Sequence, residues 1–351
     1  MARKSDKNAG KMDFNLECRR LKSEEPERLY LLWGPEDYLR EFFLGEIKKR
    51  CLPDGEDSFS YRRLNGPGLD VLALREALDV PPFLSERSFV ELRDVDLNAH
   101  KEPEKLLELF KDIPDTCTVA LVLPADYEPD GRLKLVKGIR SLGRELKFEQ
   151  QSQSDLMHWI ARRFAAVNKR VDLDTAKHLI FVSGDLMNRL IPEIEKVAAY
   201  AAGDKVTVED VDAVANHIPE AVIFEMTEAI AQKKNNSALS ILAEALENKE
   251  NDPIAMTAMM GLQMRQLYAA RLALERELGL KYILDACDIK YDFVARRLLQ
   301  AARGFTLPQL RRAVALCGET DYRMKSSGGD GKALFEELVL RIAAGECDAA
   351  D

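Results

Sequence analysis

The chain lacks the residue patterns on which most catalytic and metal-binding proteins depend. Its six cysteines, Cys18, Cys51, Cys117, Cys287, Cys317 and Cys347, are scattered, with no CxxC pair and no histidine nearby at ligand spacing. Neither a zinc site nor a disulfide framework is expected, and reduced thiols fit best. Only four histidines are present, His100, His158, His178 and His217, and none is spaced with another or with a carboxylate as an acid–base motif requires. GxSxG, HExxH and EF-hand patterns are missing. No catalytic residue, metal ligand or cofactor is therefore assigned. No apolar run approaches the roughly 18 residues that span a bilayer. Met1 to Met12 is basic and polar with no hydrophobic segment behind it, so neither membrane insertion nor secretion is expected and a cytoplasmic location is. A formal net charge of −9 argues against a freestanding nucleic-acid binder held by bulk phosphate attraction, leaving a local contact or one made inside a complex.

What is present is 351 residues, 46% hydrophobic and 32% charged, enough for two or three domains with their own cores. Leu29 to Trp33 is a short apolar stretch closed by Gly34-Pro35, and Glu36 to Arg50 follows with Leu39, Phe42, Phe43 and Ile47 at helical spacing. Strand, glycine turn, helix is where nucleotide-binding folds place a phosphate cradle. Tested against GxxxxGK[ST] from Gly34, the pattern needs Gly, Lys and Ser/Thr where Leu39, Arg40 and Glu41 stand. Pro35 removes one cradle amide, and Glu36, Asp37 and Glu41 repel a triphosphate. The acidic pair that would hold magnesium after a central strand is replaced by Arg93-Asp94, a poor Mg²⁺ site. The fold of a nucleotidase is expected, without its phosphate site.

Strands are expected at Phe59 to Arg63, Ser88 to Arg93, Thr116 to Leu123 and Glu145 to Glu149, separated by helices at Leu69 to Leu78, Glu104 to Phe110 and Gly131 to Ser141. Strands alternating with helices of about ten residues imply a parallel sheet with crossover helices, so residues 1–150 form one α/β domain. Within it, Val80-Pro81-Pro82-Phe83-Leu84-Ser85 is an apolar loop in which two prolines stop both flanking elements. An aromatic and a leucine at such a tip are either tucked under the domain or offered to a partner.

Beyond residue 150 β patterning stops. Helices are expected from Ser152-Asp155, at Leu173 to Val182, at Leu186 to Ala202 and after Thr207, giving a small helical domain over 151–219. Further helices at Phe224 to Gln232, Ala238 to Glu247, Pro253 to Leu278, Thr306 onward and Ala333 to Ile342 make 220–345 all-α, with a flexible break at Ser326 to Gly331. Ile283 to Ala302 reads as helix, turn, helix with Arg296 and Arg297. DNA readout is its sharp interpretation and a solvated helix face its ordinary one. Met256, Met259, Met260 and Met264 form a helix stripe suited to a core or a subunit interface.

These features together resemble the delta-subunit family of the bacterial DNA polymerase III clamp loader. The similarity is carried by Tyr30 to Leu39, by Pro82-Phe83-Leu84-Ser85-Glu86-Arg87, by Gly184-Asp185-Leu186 leading to Glu193-Ile194-Glu195-Lys196-Val197, and by Phe293 to Leu299. Each motif is weak alone, but their order and spacing over about Leu29 to Ile342 are specific. The resemblance implies an AAA+-like α/β domain, a helical lid and an all-α collar that oligomerises. It also implies a nucleotide site that no longer functions, falling on Gly34, Pro35, Glu36, Arg40 and Asp94. Met187 stands in the slot where ATPase relatives carry the arginine of Gly-Asp-x-Arg. It implies a hydrophobic wedge for the sliding clamp (the beta subunit) at Phe83, with Pro82 or Leu84 as second anchor. The implied assembly is a hetero-pentamer with gamma/tau and delta prime subunits around primer-template DNA, acting in DNA replication. On this reading the chain has no chemistry of its own and belongs as a subunit to the nucleotidyltransferase holoenzyme.

Overall fold

The computed structural model describes residues 12–53, 55, 59–83, 85–248, 251–327 and 329–345. They divide into two units, the first ending at Ser152 and the second opening at Gln153, with Leu186–Asn188 grouped with the first.

The first unit is built on five strands, β1 (Leu29–Trp33), β2 (Tyr61–Asn65), β3 (Ser88–Arg93), β4 (Cys117–Val122) and β5 (Arg144–Lys147). They lie in the order β2-β3-β4-β1-β5, every pair parallel. A parallel pair cannot be closed by a hairpin. The connections are correspondingly helices: α2 (Asp37–Cys51), α3 (Val71–Leu78), α4 (Pro103–Lys111) and α5 (Lys134–Leu142). β1 and β4 are apolar and buried along their whole length, as strands covered on both faces must be. One face of the sheet packs Leu31, Leu92, Val119 and Leu121 with Leu106, Phe110, Val136 and Ile139. On the same chain Phe43 and Phe148 are fully buried, their rings 6.0 Å apart.

An additional helix, α1 (Phe14–Ser23), precedes the sheet and was not expected from the sequence. Its apolar signal is limited to Phe14, Leu16 and Leu21 among basic residues, too sparse to read as periodic. Asp13 caps it by accepting from the Leu16 amide at 3.1 Å, and the Phe14 ring lies 6.4 Å from both Phe43 and Phe148. Glu17 of α1 accepts from Arg144 on the edge strand β5. The strand expected at Phe59 to Arg63 begins two residues later, because Phe59 and Ser60 form a turn whose groups serve the loop after α3.

The second unit opens with α6 (Gln153–Ala166), α7 (Leu173–Ser183), α8 (Met187–Tyr200, in this unit from Arg189) and α9 (Val208–Val214). β pairing does not cease at residue 150. Two-residue strands β6 (Arg170–Val171) and β7 (Lys205–Val206) pair in parallel, held by Lys169, whose ammonium donates to the carbonyls of Ala201 (2.6 Å) and Gly203 (2.8 Å). Two residues are too few to leave a period in the sequence. Thr207 and Asp210 form a reciprocal capping box on α9.

Then follow α10 (Pro219–Ala231), α11 (Asn235–Glu247), α12 (Pro253–Glu275), α13 (Leu280–Ala286), α14 (Asp292–Ala302), α15 (Leu307–Ser327) and α16 (Gly331–Ala343). α12 is the core of this part: Met256, Met260, Met264 and Leu267 are at most 1% exposed and Met259 is half-buried against the same core, so most of that stripe is interior packing. Thr306 and Gln309 cap α15 reciprocally, at 3.0 Å and 3.4 Å. That helix ends at Ser327, inside the break expected from Ser326 to Gly331, of which Gly328 lies outside the described residues, and α16 starts at Gly331.

His217, between α9 and α10, sits in an acidic surround. Its Nδ1 is 3.2 Å from Glu225 and its Nε2 is 4.0 Å from Asp212, the carboxylate that His178 also contacts at 2.5 Å. The hydrogen bond with Glu225 raises its pKa above the ordinary 6.5; burial opposes this, and the charges of Glu225, Asp212 and Glu193 add to the rise. A group with a raised folded pKa stabilises the fold fully below its unfolded pKa and loses that contribution as pH rises through the folded value. Replacing His217 with Gln should therefore lower the melting temperature most at about pH 5.5–6, with the deficit shrinking above the raised pKa. Equal deficits at acid and alkaline pH would show that protonation of His217 does not stabilise the unit.

Candidate functional site

The turn after β1 is closed on itself. Gly34 has φ of +118°, and a Cβ there would lie 2.5 Å from the backbone oxygen of Phe148, so only glycine fits. The Glu36 amide donates to that same Phe148 oxygen at 3.0 Å, the Asp37 amide to Pro35 and the Arg40 amide to Glu36. A phosphate cradle needs such amides free and pointing outward; here three of them are bonded within the chain.

The side chains complete the closure. Arg40 occupies the position where a phosphate-binding lysine would stand, is 5% exposed, and donates through Nη1 to the Gly34 carbonyl at 2.7 Å while its other nitrogen pairs with Asp37. The Glu36 carboxylate is fully buried and accepts from the Met187 amide at 3.3 Å. Gly34, Pro35, Glu36, Arg40 and Met187 are thus gathered at one place, around a buried acid and a committed guanidinium. Asp94 is exposed at the end of β3, the second strand from β1, with φ of +58° and its amide on the Val122 carbonyl. Its neighbour Arg93 forms a two-pronged ion pair with Glu41 (2.8 Å and 2.6 Å), placing a fixed positive charge beside any cation Asp94 could attract.

Arg93 belongs to a cluster that the sequence reading missed. Glu91, wholly buried in the middle of β3, accepts from Lys48 of α2 at 2.6 Å and from the Tyr61 hydroxyl of β2 at 2.7 Å, and it also pairs with Arg93. Burial pushes the Glu91 carboxyl up, but the hydrogen bonds from Lys48, Arg93 and Tyr61 outweigh it and hold it below the usual carboxylate range. The Tyr61 hydroxyl is raised, by burial first and by Glu91 second. The available signal was a glutamate inside the otherwise apolar run Phe89-Val90-Glu91-Leu92. The cluster fastens α2, β2 and β3 together and fixes the start of β2.

Just before that start lies Ser60, 2% exposed, whose hydroxyl accepts from the Phe83 amide at 2.8 Å and donates to the Phe83 carbonyl at 3.1 Å. Ser85 Oγ is 2.7 Å away. Both backbone groups of Phe83 are thereby satisfied by one side chain, and the ring projects outward at 57% exposure. Pro82 is half-buried beside it, and Leu84 lies outside the described residues. The Phe59 ring, 72% exposed, meets the Phe83 ring edge to face, with centroids 5.9 Å apart and planes at 87°. Contacts between residues 23 and 24 positions apart leave no trace in sequence spacing, so neither Ser60 nor Phe59 stands out in the sequence.

In the second unit, the arginines of the helix–turn–helix segment, and Arg311 and Arg312 of α15, are partly engaged. The Arg297 guanidinium lies 4.0 Å from the Phe181 ring centroid and 5.1 Å from that of Phe224, and bonds Glu228 at 2.7 Å. Arg312 pairs with Glu319 at 2.7 Å, whereas Arg296 and Arg311 are exposed.

Comparison with known proteins follows the same outline. Residues 220–342 match the family model described as DNA polymerase III delta subunit, C-terminal domain. The chain is 25% identical over 333 residues to DNA polymerase III subunit delta of Bacillus subtilis (strain 168), covering 92% of this chain and 94% of that one. It is 22% identical over 278 residues to the probable DNA polymerase III subunit delta of Aquifex aeolicus (strain VF5), covering 76% and 77%. Among solved structures it is similar to the Bacillus subtilis DNA clamp loader delta protein, with a TM-score of 0.54 and 21% identity over 95% of this chain and all of the other, which supports the fold. Over nearly its whole length the chain is similar to delta subunits of DNA polymerase III, and its residues 220–342 match the model of that subunit's C-terminal domain.

Proposed function

We propose that this chain is the clamp-opening subunit of a replicative clamp loader. It binds the sliding clamp, the beta subunit, through the loop Pro82-Phe83-Leu84 and loosens one interface of the ring for loading onto primed DNA. It works in the cytoplasm within a hetero-pentamer containing gamma/tau and delta prime subunits, contacts primer-template DNA only inside that assembly, and neither binds nor hydrolyses nucleotide. The observation that carries this reading is the outward Phe83 ring on a backbone pinned by Ser60. A rigid exposed aromatic is the kind of anchor that dominates protein interfaces. The internally bonded turn at Gly34, with Arg40 and Glu36 in place of a phosphate site, supports the absence of nucleotide use. Engagement of Arg297 and Arg312 within the fold favours DNA contact in the complex over freestanding binding.

A wedge opens a ring only if it binds the open interface better than the closed one. Burying one phenylalanine is worth roughly 1.5 to 3 kcal/mol, enough to bias a strained interface. Phe83→Ala should therefore weaken the affinity of the full chain for purified clamp by about 30- to 1000-fold, the equivalent of about 2 to 4 kcal/mol, while its melting temperature stays that of the parent. Calorimetric titration without nucleotide measures this, and an unchanged affinity would remove the loop from the mechanism. For the nucleotide site, equilibrium dialysis against millimolar Mg·ATP should recover no bound ATP; stoichiometric retention would overturn that part of the proposal.

A further inference from the structure

We infer that Phe59 is a second clamp-contacting ring, so that the recognition element is a two-ring surface drawn from two separate segments. This rests on the clamp-binding reading of Phe83 given above. Phe59 is the more exposed of the two rings, 72% against 57%, and it is in edge-to-face contact with Phe83 at 5.9 Å. A partner surface that covers the exposed part of the Phe83 ring therefore lies within reach of Phe59.

The two rings are also held as one body. Ser60, adjacent to Phe59 in the chain, bonds both the amide and the carbonyl of Phe83. On the other side, Arg62 Nη1 donates to the carbonyls of Phe59 (3.0 Å) and Tyr61 (2.8 Å), fixing the backbone from which the Phe59 ring projects. Tyr61 is in turn anchored on buried Glu91. Two aromatic side chains over half exposed on a backbone bonded from both sides form a preorganised surface, so little conformational entropy remains to be lost when they are covered. The clamp pocket that fits it accepts a perpendicular ring pair, with Phe59 as the shoulder that sets the angle at which Phe83 enters.

The test uses the full chain, purified clamp, and the variants Phe59→Ala, Phe83→Ala and the double variant, each checked for an unchanged melting temperature. Phe59→Ala should weaken clamp binding by about tenfold, the upper end expected of a paired aromatic contact. Because the rings touch, the double variant should lose less affinity than the product of the two single losses. Phe59→Ala binding like the parent while Phe83→Ala binds poorly would overturn the two-ring surface and leave the Phe83 reading standing. Losses that simply multiply would overturn the claim that the rings act as one surface. Parental binding by Phe83→Ala would sink the clamp-binding reading, and this inference with it.

Discussion

The approach of the Gly34 backbone to Phe148 sets the geometry of the first unit. β1 is flanked by β4 and β5, and the chain leaving it can turn into α2 at once only because Gly34 has no Cβ to collide with the Phe148 carbonyl. That carbonyl then receives the Glu36 amide, and the Phe148 amide donates back to Trp33 at 2.8 Å. The turn is thus bonded to the end of β5 from both sides. The same geometry commits the amides of the turn within the chain. Amides that would point at a phosphate hold the sheet and helix together, and Arg40 closes the Gly34 carbonyl from above.

With α2 seated in this way, Lys48 near its far end reaches Glu91 in the centre of the sheet. A buried charged cluster of this type adds little net stability over an apolar core, since desolvation offsets most of the attraction. Its effect is to set position. Glu91 accepts from groups on α2, β2 and β3 at once, so Tyr61 cannot slip in register without stranding a buried carboxylate. Fixing Tyr61 fixes Ser60, and Ser60 fixes the backbone of Phe83. A continuous path of hydrogen bonds therefore runs from a buried carboxylate to an exposed aromatic tip.

What could be read from the sequence follows from how far each signal reaches along the chain. β1, β3 and β4 were legible because strands buried on both faces are continuous apolar runs, and α2 and α8 because their apolar residues recur at helical spacing. The departure from GxxxxGK[ST] was legible too, since a spacing pattern either is met at Leu39, Arg40 and Glu41 or is not. α1 escaped because it is mostly polar and packs chiefly through Phe14 and Leu21, and the β6–β7 pair because two residues carry no period. The tip was legible as apolar and proline-bounded, but its outward direction depends on Ser60, 23 residues away, and on a glutamate that propensity alone would place at the surface. The methionines of α12 show the converse case. Helical spacing established the stripe, and only packing decided that it is interior.

On the proposed function, the energetics of the tip impose a division of labour. Burying a phenylalanine shifts a two-state ring equilibrium by roughly 10- to 150-fold, the equivalent of about 1.5 to 3 kcal/mol, and the shift is the difference between binding to the two states. Such a gain is realised once, on contact, and equally opposes release. If the turn closed by Arg40 and the buried Glu36 takes no nucleotide, as proposed, the chain has no nucleotide-driven means of altering its own affinity for the clamp between one cycle and the next. Preorganising the tip makes this sharper, because a rigid surface has no weaker-binding conformation of its own to relax into. The free energy that withdraws the rings must come from subunits that do turn over nucleotide, and it must act by moving this chain as a body relative to the clamp.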